Sequence, residues 1–222
     1  MTGSGLLAGL LPAAVSTVQT QHDLDERLLV SEEPFVATAV AGRRREFATG
    51  RACARRALAG IGVAPVALLP GPRGAPVWPA GVVGSLTHCS GLCAVAVSRD
   101  CEVLGLGIDA EVHAPLPDGV LDVVARAAEQ ERLASLGPGA AWDRVLFSAK
   151  ESVYKVWSPA TGTWLAHEEV DVRIGPGGTF TARLLRPGLV LGGRPLDTLA
   201  GRWAVDPDHV VTAIAVLAAG AS

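Results

Sequence analysis

The 222-residue chain is long enough to bury roughly 70% of the surface its unfolded form exposes, as one large domain or as two small lobes sharing an interface. Hydrophobic residues make up 49% and charged residues 18%, which excludes a disordered chain, and a formal net charge of −3 gives no global attraction for nucleic acid. No apolar run reaches the ~20 residues a membrane span needs, so a cytoplasmic protein is expected.

The start, Met1–Leu11, is apolar but carries no basic residue, and reads as a packed or frayed terminus rather than a signal peptide. Ser31, Glu32, Glu33 and Pro34 read as a helix start: a hydroxyl cap, acids in the first turn and an early proline. The helical pattern continues to about Ala59, broken near Gly42, and Gly60 and Gly62 end it. A loop rich in glycine and proline follows over Pro70–Gly81. Two strands are expected at Val82–His88 and Leu92–Ser98, turned at Ser90-Gly91, and a third at Val103–Val112. Short helices are expected between Pro115 and Leu136, stopped by Gly137-Pro138-Gly139, and a strong helix over Ala141–Trp157. The tail reads as antiparallel strands: Val170–Ile174, a glycine-rich turn over 175–178, Thr179–Leu185, Trp203–Val205 and Val210–Leu217. Each half thus offers helices followed by a small sheet. The expected class is α+β, two similar lobes related by a pseudo-two-fold, divided at residues 1–100 and 101–222.

Cys53, Cys89, Cys93 and Cys101 have no disulfide-framework spacing and sit among apolar residues, so they read as reduced core residues. With His88 they offer no C-x-x-C pair, which argues against zinc.

Alternation along Val103–Val112 points Leu104, Leu106 and Ile108 into a core. Gly105, Gly107, Asp109 and Glu111 then share the other face. Two carboxylates beside glycines that leave room above the sheet suit a hard cation, although two solvated acids at a strand end remain the plain alternative. In the helix after Ala141, Leu146, Ala149, Val153, Val156 and Trp157 form one apolar arc. Lys150, Glu151, Tyr154 and Lys155 take the opposite arc. Glu151 and Lys155 there are either an exposed i,i+4 pair or a third metal ligand with lysines facing phosphate. Ser85, Thr87 and His88, between Gly84 and Gly91, can donate several hydrogen bonds to an anion, though a strand histidine is commonly structural. Arg51 and Arg55 lie one helical turn apart and can reach one polyanion.

These pieces occur in order: Glu46-Phe47, Gly50-Arg51 through Leu58, Gly74-Ala75-Pro76, Gly84-Ser85-Leu86-Thr87-His88-Cys89, Gly107-Ile108-Asp109-Ala110-Glu111, and Phe147-Ser148-Ala149-Lys150-Glu151-Ser152 with Lys155 behind. Together, over about Ser31–Ile174, they resemble the 4′-phosphopantetheinyl transferases. The likeness is to the broad-specificity class that includes the surfactin synthetase activator and enterobactin synthase component D, nearest its actinobacterial branch. The resemblance implies transfer of the phosphopantetheine arm of coenzyme A to a serine of an apo acyl, peptidyl or aryl carrier protein, with release of 3′,5′-ADP. It implies Asp109, Glu111 and Glu151 as ligands of magnesium, with manganese as the alternative. Glu151 would be the general base for the serine, Lys155 would meet the leaving phosphate, and His88 would contact a coenzyme A phosphate with Thr87 or Ser85 assisting. Lys150 would bind phosphate or orient Glu151. Arg51, Arg55 and Arg73 would hold the 3′-phosphate end, Arg73 standing where the family commonly has lysine. The helices between Ala114 and Gly139 are expected to help form the carrier docking surface, and a monomer is expected. A metal-dependent hydrolase of coenzyme A or a related nucleotide, and a non-catalytic binding module on the same fold, stay open at this point.

Overall fold

The periodic apolar arcs become two 20-residue helices, each laid on its own antiparallel sheet. The computed structural model describes residues 5–71 and 74–220. In chain order its elements are β1 (Ser16–Thr20), α1 (Ala41–Gly60), β2 (Val82–Cys89), β3 (Leu92–Arg99), β4 (Val103–Val112), α2 (Val120–Val124), α3 (Ala127–Ala134) and α4 (Trp142–Thr161). There follow β5 (Val170–Gly175), β6 (Thr179–Leu184), the short pair β7 (Val190–Leu191) and β8 (Arg194–Pro195), β9 (Thr198–Val205) and β10 (His209–Leu217). The first sheet has the order β1-β3-β2 and carries α1; the second has the order β4-β10-β9-β6-β5 and carries α4. The architecture is α+β, with helix on antiparallel sheet in each half and three strands against five.

The β2–β3 hairpin closes through Ser90 and Gly91, with Cys89 paired to Leu92 and Gly91 at φ 77°, the left-handed backbone such a turn needs. Alternation along β3 then serves two cores. Cys93, Val95 and Val97 pack under α1 with Cys53, Ala57 and Leu58. Leu92, Ala94 and Ala96 face the other way, toward Leu106, Ile108, Val211 and Ala213 of the second sheet, where Leu7, Leu10 and Val15 close the cluster. A third core, with Leu146, Trp157, Phe180 and Leu199, lies between α4 and the second sheet. The two sheets therefore share buried surface just beyond the turn at residues 100–102, and the apolar start is packed from Gly5 onward.

Several expectations need correcting. Ser31 caps nothing; a single 3-10 turn, Glu33–Val36, stands apart, and α1 begins at Ala41 with Gly42 inside it. β1 has no apolar alternation in Ser16–Thr20, and forms because the edge of β3 is free to pair. α4 passes Pro159 and stops at Gly162 (φ 67°), because a proline near the helix end costs only one backbone bond. β9 starts at Thr198 rather than Trp203. Cys101 is exposed, not a core residue. Among the described residues no helix is long and apolar enough to cross a membrane.

Candidate active site

The glycines of β4 bring α4 down onto the strand. A Cβ on Gly107 would lie 2.1 Å from the backbone oxygen of Ser152, and one on Gly105 would lie 3.1 Å from Val156. The expected space above the sheet is thus filled by the helix itself, which corrects the reading of those glycines as room for a ligand. The close approach lets Lys155 donate from Nζ to the Ile108 carbonyl at 2.9 Å and to Asp109 Oδ1 at 2.8 Å. From the other side Thr87 donates to the same Asp109 oxygen at 3.1 Å and accepts the Ala110 N–H at 3.2 Å. Ser85 accepts the Ile108 N–H at 3.0 Å. Ser85 and Thr87 are buried and stitch β2 to β4 across the junction of the two sheets. In this arrangement both serve the junction, Ser85 as an acceptor and Thr87 with its donor spent on Asp109.

Glu111, one pleat along from Asp109, accepts from Arg144 Nη1 at 3.0 Å. Arg144 spends its remaining nitrogens on the Ala114 and Pro115 carbonyls, each at 3.0 Å. Sequence reading passed over Arg144, because nothing local marks an arginine in the first turn of α4 as the partner of an acid 33 positions earlier. Burial, and then the charge of Asp109, hold the Glu111 carboxyl above the usual range. Asp109 Oδ2 is buried without a hydrogen-bond partner. Two crowded carboxylates, one with an orphaned oxygen, fit a hard divalent cation that takes oxygen ligands. Glu151 points elsewhere: its Oε1 pairs with His167 Nε2 at 3.2 Å. Among the described residues no three histidine, cysteine or acidic side chains converge closely enough to hold a metal ion in this arrangement.

Lys150 does not face phosphate. Its side chain is 1% exposed, and its ammonium donates to Glu129 Oε2 at 2.7 Å and to the carbonyls of Val124, His167 and Val170 at 2.8–3.1 Å. Glu129, itself 0% exposed, also accepts the N–H groups of Arg126 and Val172. Lysine buried this way is stable only because every donor is used. The phosphate role given to Lys150 is withdrawn.

On the other lobe, Arg51 and Arg55 part company. Arg55 is bound by Glu32 at 3.0 Å and by the Arg27 carbonyl at 3.3 Å, an internal ion pair that removes it as a coenzyme ligand. Arg51 is 3% exposed, stacks over Phe47 at 4.2 Å, and leaves Nε and Nη2 unpartnered. Burial lowers its pKa and Glu32 opposes the shift, but an arginine keeps its charge in proteins. It lines a cleft of about 210 Å³ with Phe35, Arg43, Gly74, Pro76 and His88. His88 pairs there with Glu46 and lies 3.4 Å from Arg43, and burial depresses its pKa. Arg73 lies outside the described residues.

Residues 31–98 match the family model for the 4′-phosphopantetheinyl transferase N-terminal domain, and residues 105–211 match that of the 4′-phosphopantetheinyl transferase superfamily. The 4′-phosphopantetheinyl transferase Svp of Streptomyces mobaraensis is 52% identical over 221 residues, covering 96% of this chain and 90% of that one. The chain belongs to the 4′-phosphopantetheinyl transferase superfamily. A second member, PptT of Mycobacterium tuberculosis, is 44% identical over 225 residues, covering 96% of this chain and 99% of that one. Enterobactin synthase component D of Escherichia coli K12 is 37% identical over 118 residues, 52% of this chain and 56% of that one. The two family models meet between residues 98 and 105, where β3 turns into β4.

Proposed function

We propose that this transferase moves the 4′-phosphopantetheine arm of coenzyme A onto a serine of an apo acyl, peptidyl or aryl carrier protein, releasing 3′,5′-ADP. The observation that carries the reading is the buried, half-unpartnered Arg51 guanidinium lining a cleft beside His88, which itself lies within electrostatic reach of Lys155. A fixed cation with unspent donors requires an anion, and coenzyme A offers a 3′-phosphate and a pyrophosphate to two such places at once.

Arg51 takes the 3′-phosphate and His88 a neighbouring phosphate oxygen. Asp109 and Glu111 would hold magnesium, or manganese in its place, with Glu151 joining them from α4. Such a cation supplies charge neutralisation on the pyrophosphate while the P–O bond breaks. Lys155 keeps an ammonium beside that oxygen cluster and meets the leaving phosphate. Glu151, four residues before Lys155 on the same helix face, accepts the proton of the carrier serine, directly or through a water, since a hydroxyl is a poor nucleophile at neutral pH. Residues 1–100 form the coenzyme lobe and 101–222 the metal and base lobe of a monomer working in the cytoplasm, and the α2–α3 region receives the carrier.

The test is incubation with coenzyme A and a purified apo carrier, followed by intact-mass analysis. A mass gain of one phosphopantetheine on the carrier is expected, and Glu151→Gln abolishes it. Free phosphopantetheine released without carrier would make the protein a hydrolase instead, and a near-parental rate in Glu151→Gln would remove the base.

A further inference from the structure

Glu151 sits on a solvent-facing part of α4, its side chain 29% exposed, where an unrestrained glutamate samples several rotamers. Here it is restrained by a short segment from the far side of the helix. His167 opens the 3-10 turn His167–Glu169, and its Nε2 lies 3.2 Å from Glu151 Oε1. A carboxylate only accepts, so Nε2 carries the proton of this bond. The other flank of the ring rests on Phe147, one turn earlier on α4, at 6.0 Å between centroids.

The turn that presents this imidazole is unusually well tied. Lys150 donates to the His167 carbonyl at 2.8 Å and to the Val170 carbonyl at 3.1 Å. Arg126 donates to the Glu168 carbonyl at 2.7 Å, and Glu169 accepts the Ala166 N–H at 2.8 Å. Carbonyls of a surface turn are ordinarily left to water. In this turn a buried ammonium, neutralised by Glu129, is committed to two of them. Lys150 and Glu151 are adjacent in sequence, so the bonds form a closed circuit: Lys150 to the His167 backbone, the His167 ring to Glu151, and Glu151 back along α4 to Lys150. The circuit fixes the backbone of the turn, and the Glu151 carboxylate is tied to that turn through the single His167 bond.

We propose that His167 is a positioning residue for Glu151, held in place by the buried Lys150–Glu129 pair, and that the transfer rate depends on it through the aim of the Glu151 carboxylate. The proposal rests on the reading of Glu151 as a residue of the reacting centre. Removal of an orienting hydrogen bond from a ligand or base costs on the order of 10- to 100-fold in rate. The experiment compares kcat and KM for His167→Leu, His167→Asn and His167→Gln with the parental values, each with its melting temperature, and assays Glu151→Gln for transfer. Glutamine places an amide donor near the Nε2 position and asparagine does not. The expected result is a 10- to 100-fold fall in kcat for Leu and Asn, recovery in Gln, and a KM for coenzyme A near the parental value. The 15N-correlated His167 Nε2–H resonance of the metal-free protein shifts in Glu151→Ala. A parental kcat in His167→Leu, or a glutamine variant as slow as the leucine one, overturns the positioning role while leaving Glu151 in place. An active Glu151→Gln overturns both.

Discussion

Replacing Lys150 by methionine is the sharpest test of how this fold holds α4. The methionine stem fits the lysine channel, so the loss is confined to charge and donors. Glu129 would be left ionised at 0% exposure, with only the N–H groups of Arg126 and Val172, while the carbonyls of Val124, His167 and Val170 would each lose a donor. Breaking a buried pair from one side costs about 3–5 kcal/mol. For a chain of this length each kcal/mol lowers Tm by about 2–4 °C, so a fall of about 6–20 °C is expected by calorimetry. Burial pulls the Lys150 pKa down and Glu129 opposes that shift, so the pair and not the lysine alone keeps the charge inside. The double variant Lys150→Met/Glu129→Gln removes the stranded charge and should melt above the single one. A fall of less than about 2 °C in Lys150→Met, or a double variant no more stable than the single, would refute a charged buried pair.

Arg51→Ala should weaken coenzyme A by about 10- to 150-fold, the worth of a charge-assisted hydrogen bond, and dephospho-coenzyme A much less. Equal losses in calorimetric titrations of the two ligands would remove Arg51 from the 3′-phosphate. Gly107→Ala should destabilise the protein by about 1–3 kcal/mol in urea unfolding, because its methyl group meets the Ser152 backbone rather than a movable side chain. It should also lower the transfer rate by lifting Lys155 from Asp109; an unchanged rate in the folded variant would separate the helix contact from the chemistry. Alkylation with iodoacetamide at pH 8 should mark Cys101, which is exposed, and spare Cys89. Burial and the charges of Glu111 and Asp109 push the Cys89 thiol up to about 12, leaving on the order of one thiolate in ten thousand at that pH. Peptide mass mapping that finds Cys89 modified as fast as Cys101 would contradict that environment.

What the chain determines by itself is what short-range physics can see. The 3.6-residue arc of α4, the alternation of β2, β3 and β4, and the turn at Ser90-Gly91 are local, and each stands within a few residues of its expected bounds. The order of the motifs carries the family for the same reason: it is a property of the chain, not of its folding. Partner choice is different. Lys150 and Glu151 share the polar arc of one helix, yet α3 and the 167–170 segment fold over the lysine and bury it, while the glutamate stays near the surface. Arg51 and Arg55 look like equal anion ligands one turn apart until Glu32, 23 residues before Arg55, takes the second and leaves the first unpaired. Ser85 and Thr87 have the chemistry of an anion cradle, but with β2 beside β4 both oxygens accept N–H groups of β4 and Thr87 donates to Asp109. A side chain's donors go to whichever acceptors the tertiary fold brings within about 3 Å, and those acceptors lie tens of residues away in sequence.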